Sequence, residues 1–168
     1  MRVLKIVIIF RIMPGLKTYT DGKNIYSVDM MLAYLNTKGH SVEKFPIDIF
    51  VPQLEQKVWG EWSPKTVIEK MDVKKYHENS ERIKKADLSY PIIITGNKTS
   101  VTRAHTIVDG YHRISKAYLE GHKYINAHVF DKLLMDKFII NKDLDFVKVH
   151  QHTGVNEILE LWTKRFCK

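Results

Sequence analysis

The sequence predicts an α/β fold, a compact domain in which helices flank a small mixed sheet. The prediction rests on strand patterns at residues 90–95, 104–108 and 124–130, and on a helix pattern at residues 111–120 between the last two. A helix that joins two strands can make them parallel through a right-handed crossover, and we expect this of the last two strands. With 168 residues, 44% of them hydrophobic, the chain is expected to form a single domain with its core at about residues 41–131.

The N-terminal part is expected to add a strand and a helix to this core. Residues 3–10 form an apolar run that Lys5 interrupts. The run is much shorter than the roughly 20 residues of a membrane helix, so a buried strand is predicted. An apolar pattern near helical spacing in residues 24–35 predicts a helix that ends at residues 38–40, around Gly39. Residues 41–51 predict a strand that Pro46 breaks, and because proline cannot donate a ladder hydrogen bond, this strand should be bent or lie at a sheet edge.

Two helices are predicted between this strand and the next. Ser63 is a good N-cap and Pro64 suits the first helical turn, so one helix should begin there. A second helix is expected from Asp72 to about Ala86. Its sequence is almost entirely polar, which places it on the surface, along a wet cleft, or both.

Residues 132–168 are predicted to form a C-terminal helical extension. One helical piece is expected in residues 131–140, and Thr153 should cap a last helix that is rich in apolar residues. Because this last helix is more apolar than a free tail, we expect it to dock on the domain and to cover one face of the sheet.

Composition limits the functions open to the chain. Cys167 is the only cysteine, which excludes a disulfide framework and a four-cysteine zinc site and suits a reducing compartment. Since the sequence shows no targeting or membrane segment, we expect a soluble intracellular protein without a membrane partner. The net charge of +8 favours anionic ligands. Because that charge is spread along the chain, nucleic acid is a possible partner but not a favoured one. The oligomeric state stays open.

The most informative segment is the junction at residues 108–113, where a strand delivers the chain to Gly110 and a helix begins at once. Glycine allows a sharp turn or a close approach to a ligand, and the first amides of a helix have no acceptor within it. His112 and Arg113 add donors at the positive end of the helix dipole, which predicts a phosphate or other anion site. A structural alternative is equally open, in which Asp109 caps the helix and Arg113 pairs with a carboxylate.

Several motifs together resemble the ParB/sulfiredoxin superfamily over about residues 72–131. The shared features are an apolar strand, a second strand that runs into the junction motif, a helix with a small residue and a closing glycine, and a third strand. In this sequence they are Pro91-Ile92-Ile93-Ile94, Ile107-Val108-Asp109-Gly110-Tyr111-His112-Arg113, Ala117, Gly121 and Ile125-Asn126-Ala127-His128-Val129. In amino-acid sequence, residues 109–113 are most similar to the Asp-Gly-His-His-Arg motif of free-serine kinases with this fold. Only Tyr111 differs from that motif.

The resemblance implies that the junction binds ATP or another nucleotide. The implied phosphate contacts come from Gly110, Tyr111, His112, Arg113, Ser115, Arg82 and Lys75. Asp109 would act through Mg²⁺ or, with His112, in acid–base catalysis. The implied reaction is phosphoryl transfer from a nucleoside di- or triphosphate to a small hydroxyl substrate, or hydrolysis of the nucleotide. The candidate bases are Asp48, Glu55 and Glu61.

Two departures from the family narrow these implications. Tyr111 stands where sulfiredoxins have their reactive cysteine, and Cys167 is far from it in sequence, so sulfinic-acid reduction is not expected. Chromosome-partition ParB proteins use an arginine-rich motif here and continue into a helix-turn-helix. This chain has one arginine in the motif and a short segment after Asp131, so specific DNA clamping is not expected.

Other interpretations stay open from the sequence. The chain could be a non-catalytic module that contacts a protein or DNA in a nucleotide-dependent way, or a ParB-like nuclease, which would need metal-binding carboxylates. Trp59 and Trp62 could stack a base or cap a cleft, although burial is the more common role of tryptophan. His150 and His152 could bind a metal or lie in an exposed loop.

Overall fold

The computed structural model describes residues 17–96, 105–142 and 155–167, and these form a mixed α/β structure, as predicted. In chain order the strands and helices are β1 (Thr18–Thr20), β2 (Ile25–Ser27), α1 (Val28–Lys38), β3 (Glu43–Pro46), α2 (Val51–Leu54), α3 (Pro64–Glu69), α4 (His77–Lys85), β4 (Ile92–Thr95), β5 (Thr106–Asp109), α5 (Tyr111–Leu119), β6 (Tyr124–Phe130), α6 (Lys132–Met135) and α7 (Val155–Phe166). The strand predicted at residues 3–10, the Thr153 cap and the pair His150 and His152 lie outside the described residues.

The described residues divide into two compact units, one of residues 17–40 and 133–167 and the other of residues 41–132. In the first unit, β1 and β2 form an antiparallel hairpin and α1 follows directly. The Ser27 side chain caps α1 by accepting a hydrogen bond from the Met30 amide at 3.2 Å. Gly39 ends the helix with a φ of 73°, which glycine adopts without strain. The predicted helix end is therefore confirmed.

Aromatic rings make up much of the core of the first unit. Tyr34 of α1 has its ring centroid 5.7 Å from that of Phe138 and 5.6 Å from that of Phe166. Trp162 stacks on Phe166 at 4.5 Å and is fully buried. The helical piece predicted for residues 131–140 is present as α6 followed by a 3₁₀ turn, Asp136–Phe138.

The second unit contains a four-stranded mixed sheet with the strand order β3-β6-β4-β5. β4 and β6 are parallel, whereas β3 with β6 and β4 with β5 are antiparallel. β3 lies at one edge and ends at Pro46, opposite Tyr124, so the predicted edge position is confirmed. After Pro46 the chain forms a 3₁₀ turn, Ile47–Phe50, and not a second half of the strand.

The prediction that the last two strands are parallel is wrong. β5 and β6 run in opposite directions and are separated by β4. The reason is that β4 and β5 pair as an antiparallel hairpin, so β5 has already reversed the chain before α5 begins. The parallel pair is instead β4 and β6, whose crossover consists of β5 and α5 together.

The core of this unit lies between the sheet and the helices. α5 contributes Ile114 and Ala117 to a buried cluster, with isoleucines from β4, β5 and β6. A smaller cluster contains Val67, Tyr76 and Ile83, from α3 and the α4 region. None of the helices in the described parts of the chain is both long enough and apolar enough to cross a membrane.

The helices predicted between β3 and β4 are present with one correction. Ser63 caps α3 by accepting a hydrogen bond from the Thr66 amide at 3.1 Å, as expected. The second helix begins at His77 rather than Asp72, because a 3₁₀ turn, Lys74–Tyr76, precedes it. Asp72 therefore does not cap it.

The outer edge of β5 is closed by a side chain. Gln53 of α2 donates from Nε2 to the carbonyl of His105 at 2.6 Å and accepts from the amide of Ile107 at 2.9 Å. Its amide group thus takes the place that a neighbouring strand would occupy and prevents further pairing at this position.

Candidate functional site

The junction between β5 and α5 is shaped by Gly110. Its φ is 115°, and a Cβ atom added there would lie 2.5 Å from Cγ2 of Ile92 on β4. Glycine is therefore required both by the backbone conformation and by the packing of the helix start against the sheet. These two requirements explain the glycine without a ligand.

Asp109, the last residue of β5, is buried and forms an ion pair within the protein. Its Oδ2 lies 2.8 Å from Nη2 of Arg113, one turn into α5, and the two side chains are 8% and 18% exposed. The sequence left open whether Arg113 pairs with a carboxylate, and in the structure it does. The N-cap of α5 is Gly110 and not Asp109.

Arg113 also holds the chain that leads into β4. Its Nη1 donates to the carbonyl of Tyr90 at 3.1 Å and to that of Pro91. With the bond to Asp109, three of the five guanidinium N–H donors are used. The Nε hydrogen and the second Nη2 hydrogen have no acceptor among the residues that the structure describes.

A second cation of α5 stabilises the same loop. Nζ of Lys116 donates to the carbonyls of Lys84 and Ala86, at 3.0 Å and 2.9 Å, and so caps the end of α4. Within the loop, hydrogen bonds from the side chain and the amide of Ser89 lower the pKa of Asp87. Arg113 and Lys116 of α5 therefore both hold the loop between α4 and β4.

His112 is held by residues from two other elements. Its Nε2 lies 3.0 Å from Oδ1 of Asn79 on α4. Its ring stacks on the indole of Trp59, with centroids 4.5 Å apart and an interplanar angle of 16°. The polar helix α4 thus contacts the junction through Asn79, while its predicted contribution to phosphate binding stays a prediction.

The Trp59 indole is carried by a tight turn. Trp59 and Trp62 exchange two backbone hydrogen bonds, at 3.2 Å and 3.3 Å, and Gly60 between them has a φ of 69°. Trp62 packs edge-on against Tyr76 at 5.1 Å, within the smaller cluster. Both rings therefore pack within the protein, Trp62 on Tyr76 and Trp59 on His112, and stacking of a nucleotide base on either ring stays a prediction.

The other predicted phosphate ligands have contacts elsewhere. Arg82 pairs with Glu78 at 2.8 Å on the exposed side of α4. Nζ of Lys75 lies 4.8 Å from the ring centroid of Tyr76. The buried Ser115 donates its hydroxyl hydrogen to the carbonyl of Tyr111 at 2.6 Å, and Tyr111 packs partly buried against the main core.

The three candidate bases differ in their surroundings. Glu55 is paired with Lys65 at 2.6 Å, a bond that also raises the pKa of Lys65. Asp48 is exposed in the 3₁₀ turn after β3. Glu61 is exposed in the turn that also carries Trp59. Because Trp59 stacks on His112, Glu61 is the candidate base that lies in a segment in contact with His112.

The sequence did not predict the stack of Trp59 on His112. The signal available was the Trp59–Trp62 segment itself, with a turn-forming Gly60 between two large aromatic residues. Nothing in a single sequence identifies the ring that such a residue covers, because the partner lies on another element.

The donor set at the junction does not fit a metal ion held by the protein. Asp109 offers one carboxylate, and one of its oxygens is bound to Arg113. No three His, Cys, Asp or Glu side chains come close enough together to hold a metal, among the residues that the structure describes. The carboxylate cluster that a nuclease would need is likewise not found in these residues.

Comparisons with protein-family models, with curated proteins and with solved structures found no match to this chain. The resemblance to the ParB/sulfiredoxin superfamily therefore stays a prediction based on the motifs.

Proposed function

We propose that the unit of residues 41–132 binds the phosphate groups of a nucleotide at the start of α5. The observation that carries the proposal is the Asp109–Arg113 pair, in which the arginine neutralises the carboxylate and keeps two N–H donors. A bare carboxylate at this place would repel a phosphate, and the pair removes that repulsion. The positive end of the α5 dipole adds to the attraction.

The same pair favours a binding module over an enzyme. Asp109 was the predicted acid, base or Mg²⁺ ligand, and its carboxylate is buried and already engaged. The protein would then act by contacting a protein or DNA in a way that depends on the bound nucleotide. We infer a protein partner rather than DNA, since the positive charge of the sequence is spread along it and is not concentrated in a basic arm.

Phosphoryl transfer to a small hydroxyl compound is the second candidate. It is supported by the similarity of Asp109, Gly110, His112 and Arg113 to the free-serine kinase motif. The specific structural support is Glu61, an exposed carboxylate in the turn that contacts His112. In this mechanism Glu61 would take the proton of the acceptor hydroxyl, and any Mg²⁺ would enter bound to the phosphates of the nucleotide.

Calorimetry with ADP, ATP and CTP, each with and without Mg²⁺, tests the binding. We expect one nucleotide per chain and a loss of roughly 1.5–3 kcal/mol of binding free energy for Arg113→Ala, the scale of a charge-assisted hydrogen bond. Arg113→Lys, which keeps the charge but loses the planar fork, covers the case in which the alanine variant does not fold. Lys85→Ala is the control, because Lys85 is a cation exposed on α4 and lies 3.9 Å from Glu81.

Three results decide between the candidates. If no nucleotide binds, or if both Arg113 variants bind as the unsubstituted protein does, the proposed site is refuted. If a nucleotide binds but no phosphate is released in the presence of serine or other small hydroxyl compounds, the binding module is supported. If phosphate transfer occurs and Glu61→Gln abolishes it while nucleotide affinity is retained, the kinase is supported.

A further inference from the structure

The His112 side chain contacts two side chains from other parts of the chain, Asn79 and Trp59. Asn79 lies on α4, His112 lies in the first turn of α5, and the two are 33 positions apart in the sequence. The side-chain oxygen of an asparagine is an acceptor only. The 3.0 Å contact with this oxygen therefore requires a hydrogen on Nε2 of His112.

We propose that Asn79 is a positioning residue, which fixes the tautomer and the orientation of His112 before a ligand binds. A neutral imidazole carries one N–H. Because this N–H donates a hydrogen bond to Asn79, the other ring nitrogen, Nδ1, is an acceptor. Trp59 restricts the same ring from its face, because its indole lies nearly parallel at 4.5 Å. One contact in the ring plane and one on its face together define a single ring position.

The proposal changes the role expected for His112. From the sequence, His112 was one of two side-chain donors to phosphate, together with Arg113. The one N–H of the neutral His112 ring donates to Asn79, so the ring has no further N–H for a phosphate. The phosphate donors are then Arg113 and the first amides of α5. This consequence for the ligand rests on the proposed function, whereas the assignment of the tautomer does not.

His128 provides an internal reference for the measurement. Its Nδ1 lies 3.0 Å from the carbonyl oxygen of Ser41, which can only accept. Neutral His128 should therefore carry its hydrogen on Nδ1. The two histidines are expected to be opposite tautomers in the same protein.

Long-range ¹H–¹⁵N correlation spectra of the ¹⁵N-histidine-labelled protein test the assignment. They are recorded at about pH 9, well above the ordinary imidazole pKa of about 6.5. We expect His112 as the Nε2–H form and His128 as the Nδ1–H form. In Asn79→Leu, His112 should become a mixture of tautomers, and in Asn79→Asp, which restores an acceptor, it should return to the Nε2–H form. The charge control is Asn36→Asp, on the exposed end of α1, which should leave His112 unchanged.

Two results would overturn the positioning role. One is His112 as the Nδ1–H form in the unsubstituted protein. The other is an unchanged His112 tautomer in Asn79→Leu, provided that the circular dichroism and melting curve of the variant show a folded protein. Should the leucine variant be unfolded, the first result and Asn79→Asp still decide the question, because a carboxylate must keep the Nε2–H form if position 79 sets it.

The functional half is tested by ADP affinity of the Asn79→Leu variant. Because the neutral His112 ring donates no hydrogen bond to phosphate, we expect the folded variant to bind ADP as tightly as the unsubstituted protein. A clear loss of ADP affinity in the folded variant would overturn the assignment of the phosphate contacts to Arg113 and the helix amides. Failure of the unsubstituted protein to bind any nucleotide would refute the proposed function, while the spectra would still decide the role of Asn79.

Discussion

The starts of α1 and α5 differ in how their first turns are completed. Both helices follow a strand, but α1 begins with Ser27, whose side chain caps it, and has the acidic Asp29 in its first turn. α5 begins with Gly110, which has no side chain, and has no acidic residue in its first turn. The helix dipole is therefore balanced by local side chains in α1, whereas the first turn of α5 carries His112 and Arg113. The start of α1 is thus completed by a capping side chain, whereas the start of α5 has no side-chain cap.

The largest expected effect on stability concerns Gly110 at the start of α5. Gly110→Ala should lower the free energy of unfolding by about 2–4 kcal/mol, because the new Cβ meets Ile92 at 2.5 Å and the φ of 115° is unfavourable for alanine. Urea unfolding measures it. Gly39→Ala at the end of α1 is the control, with nothing within 4 Å of the added Cβ, and should cost less, about 1–3 kcal/mol, for its backbone conformation alone. Equal losses for the two variants would contradict the importance of the Ile92 contact.

The capping serine should give an intermediate effect. Ser27→Ala removes the acceptor for the Met30 amide and should cost about 1 kcal/mol of stability in the same unfolding experiment. Ser41→Ala, at an exposed position, should stay within about 0.5 kcal/mol. If Ser27→Ala loses no more stability than Ser41→Ala, then the hydrogen bond from the Met30 amide to Ser27 does not stabilise the start of α1.

Inorganic phosphate should distinguish the two helix starts directly. In amide NMR spectra at increasing phosphate, the signals of residues 110–114 should shift along a saturable curve, and those of residues 28–31 should not. At a phosphate concentration equal to the Kd, the added stability is only about 0.4 kcal/mol, so the shifts are the better measure. Similar shifts at both helix starts would remove the contrast on which the proposed site depends.

The smallest effect concerns the turn between β1 and β2, where Asp21 accepts hydrogen bonds from the Asn24 amide and the Tyr26 hydroxyl. These bonds lower the pKa of Asp21 to about 2, the Asn24 amide having the largest effect. The resulting stability is present above the ordinary aspartate pKa of about 3.9 and is lost as the pH falls toward 2. Because Asp21 is exposed, we expect less than about 1 kcal/mol.

Unfolding of the unsubstituted protein and of Asp21→Asn at pH 7, 4 and 2.5 measures this effect. The stability difference between them should be largest at pH 7 and should shrink with acid. A difference that does not change with pH would mean that Asp21 does not stabilise the turn through its charge.

Local patterns were sufficient for much of the fold. The cap at Ser63, the helix end at Gly39 and the strand of residues 124–130 could be predicted because each depends on neighbouring residues. The direction of β5 could not be predicted in this way. A strand pattern does not say whether its neighbour in the sheet is the strand before it or the strand after it, and the hairpin with β4 decided this.

For the candidate site, the sequence by itself determined the strand, the glycine and the helix that place Asp109, His112 and Arg113 together, because these residues lie within one short segment. Only the tertiary structure decided what those side chains contact. Arg113 reaches the carbonyls of Tyr90 and Pro91, and His112 lies between Asn79 and Trp59. Such contacts join elements that are distant along the chain, and they form only when packing of the apolar faces has brought those elements side by side.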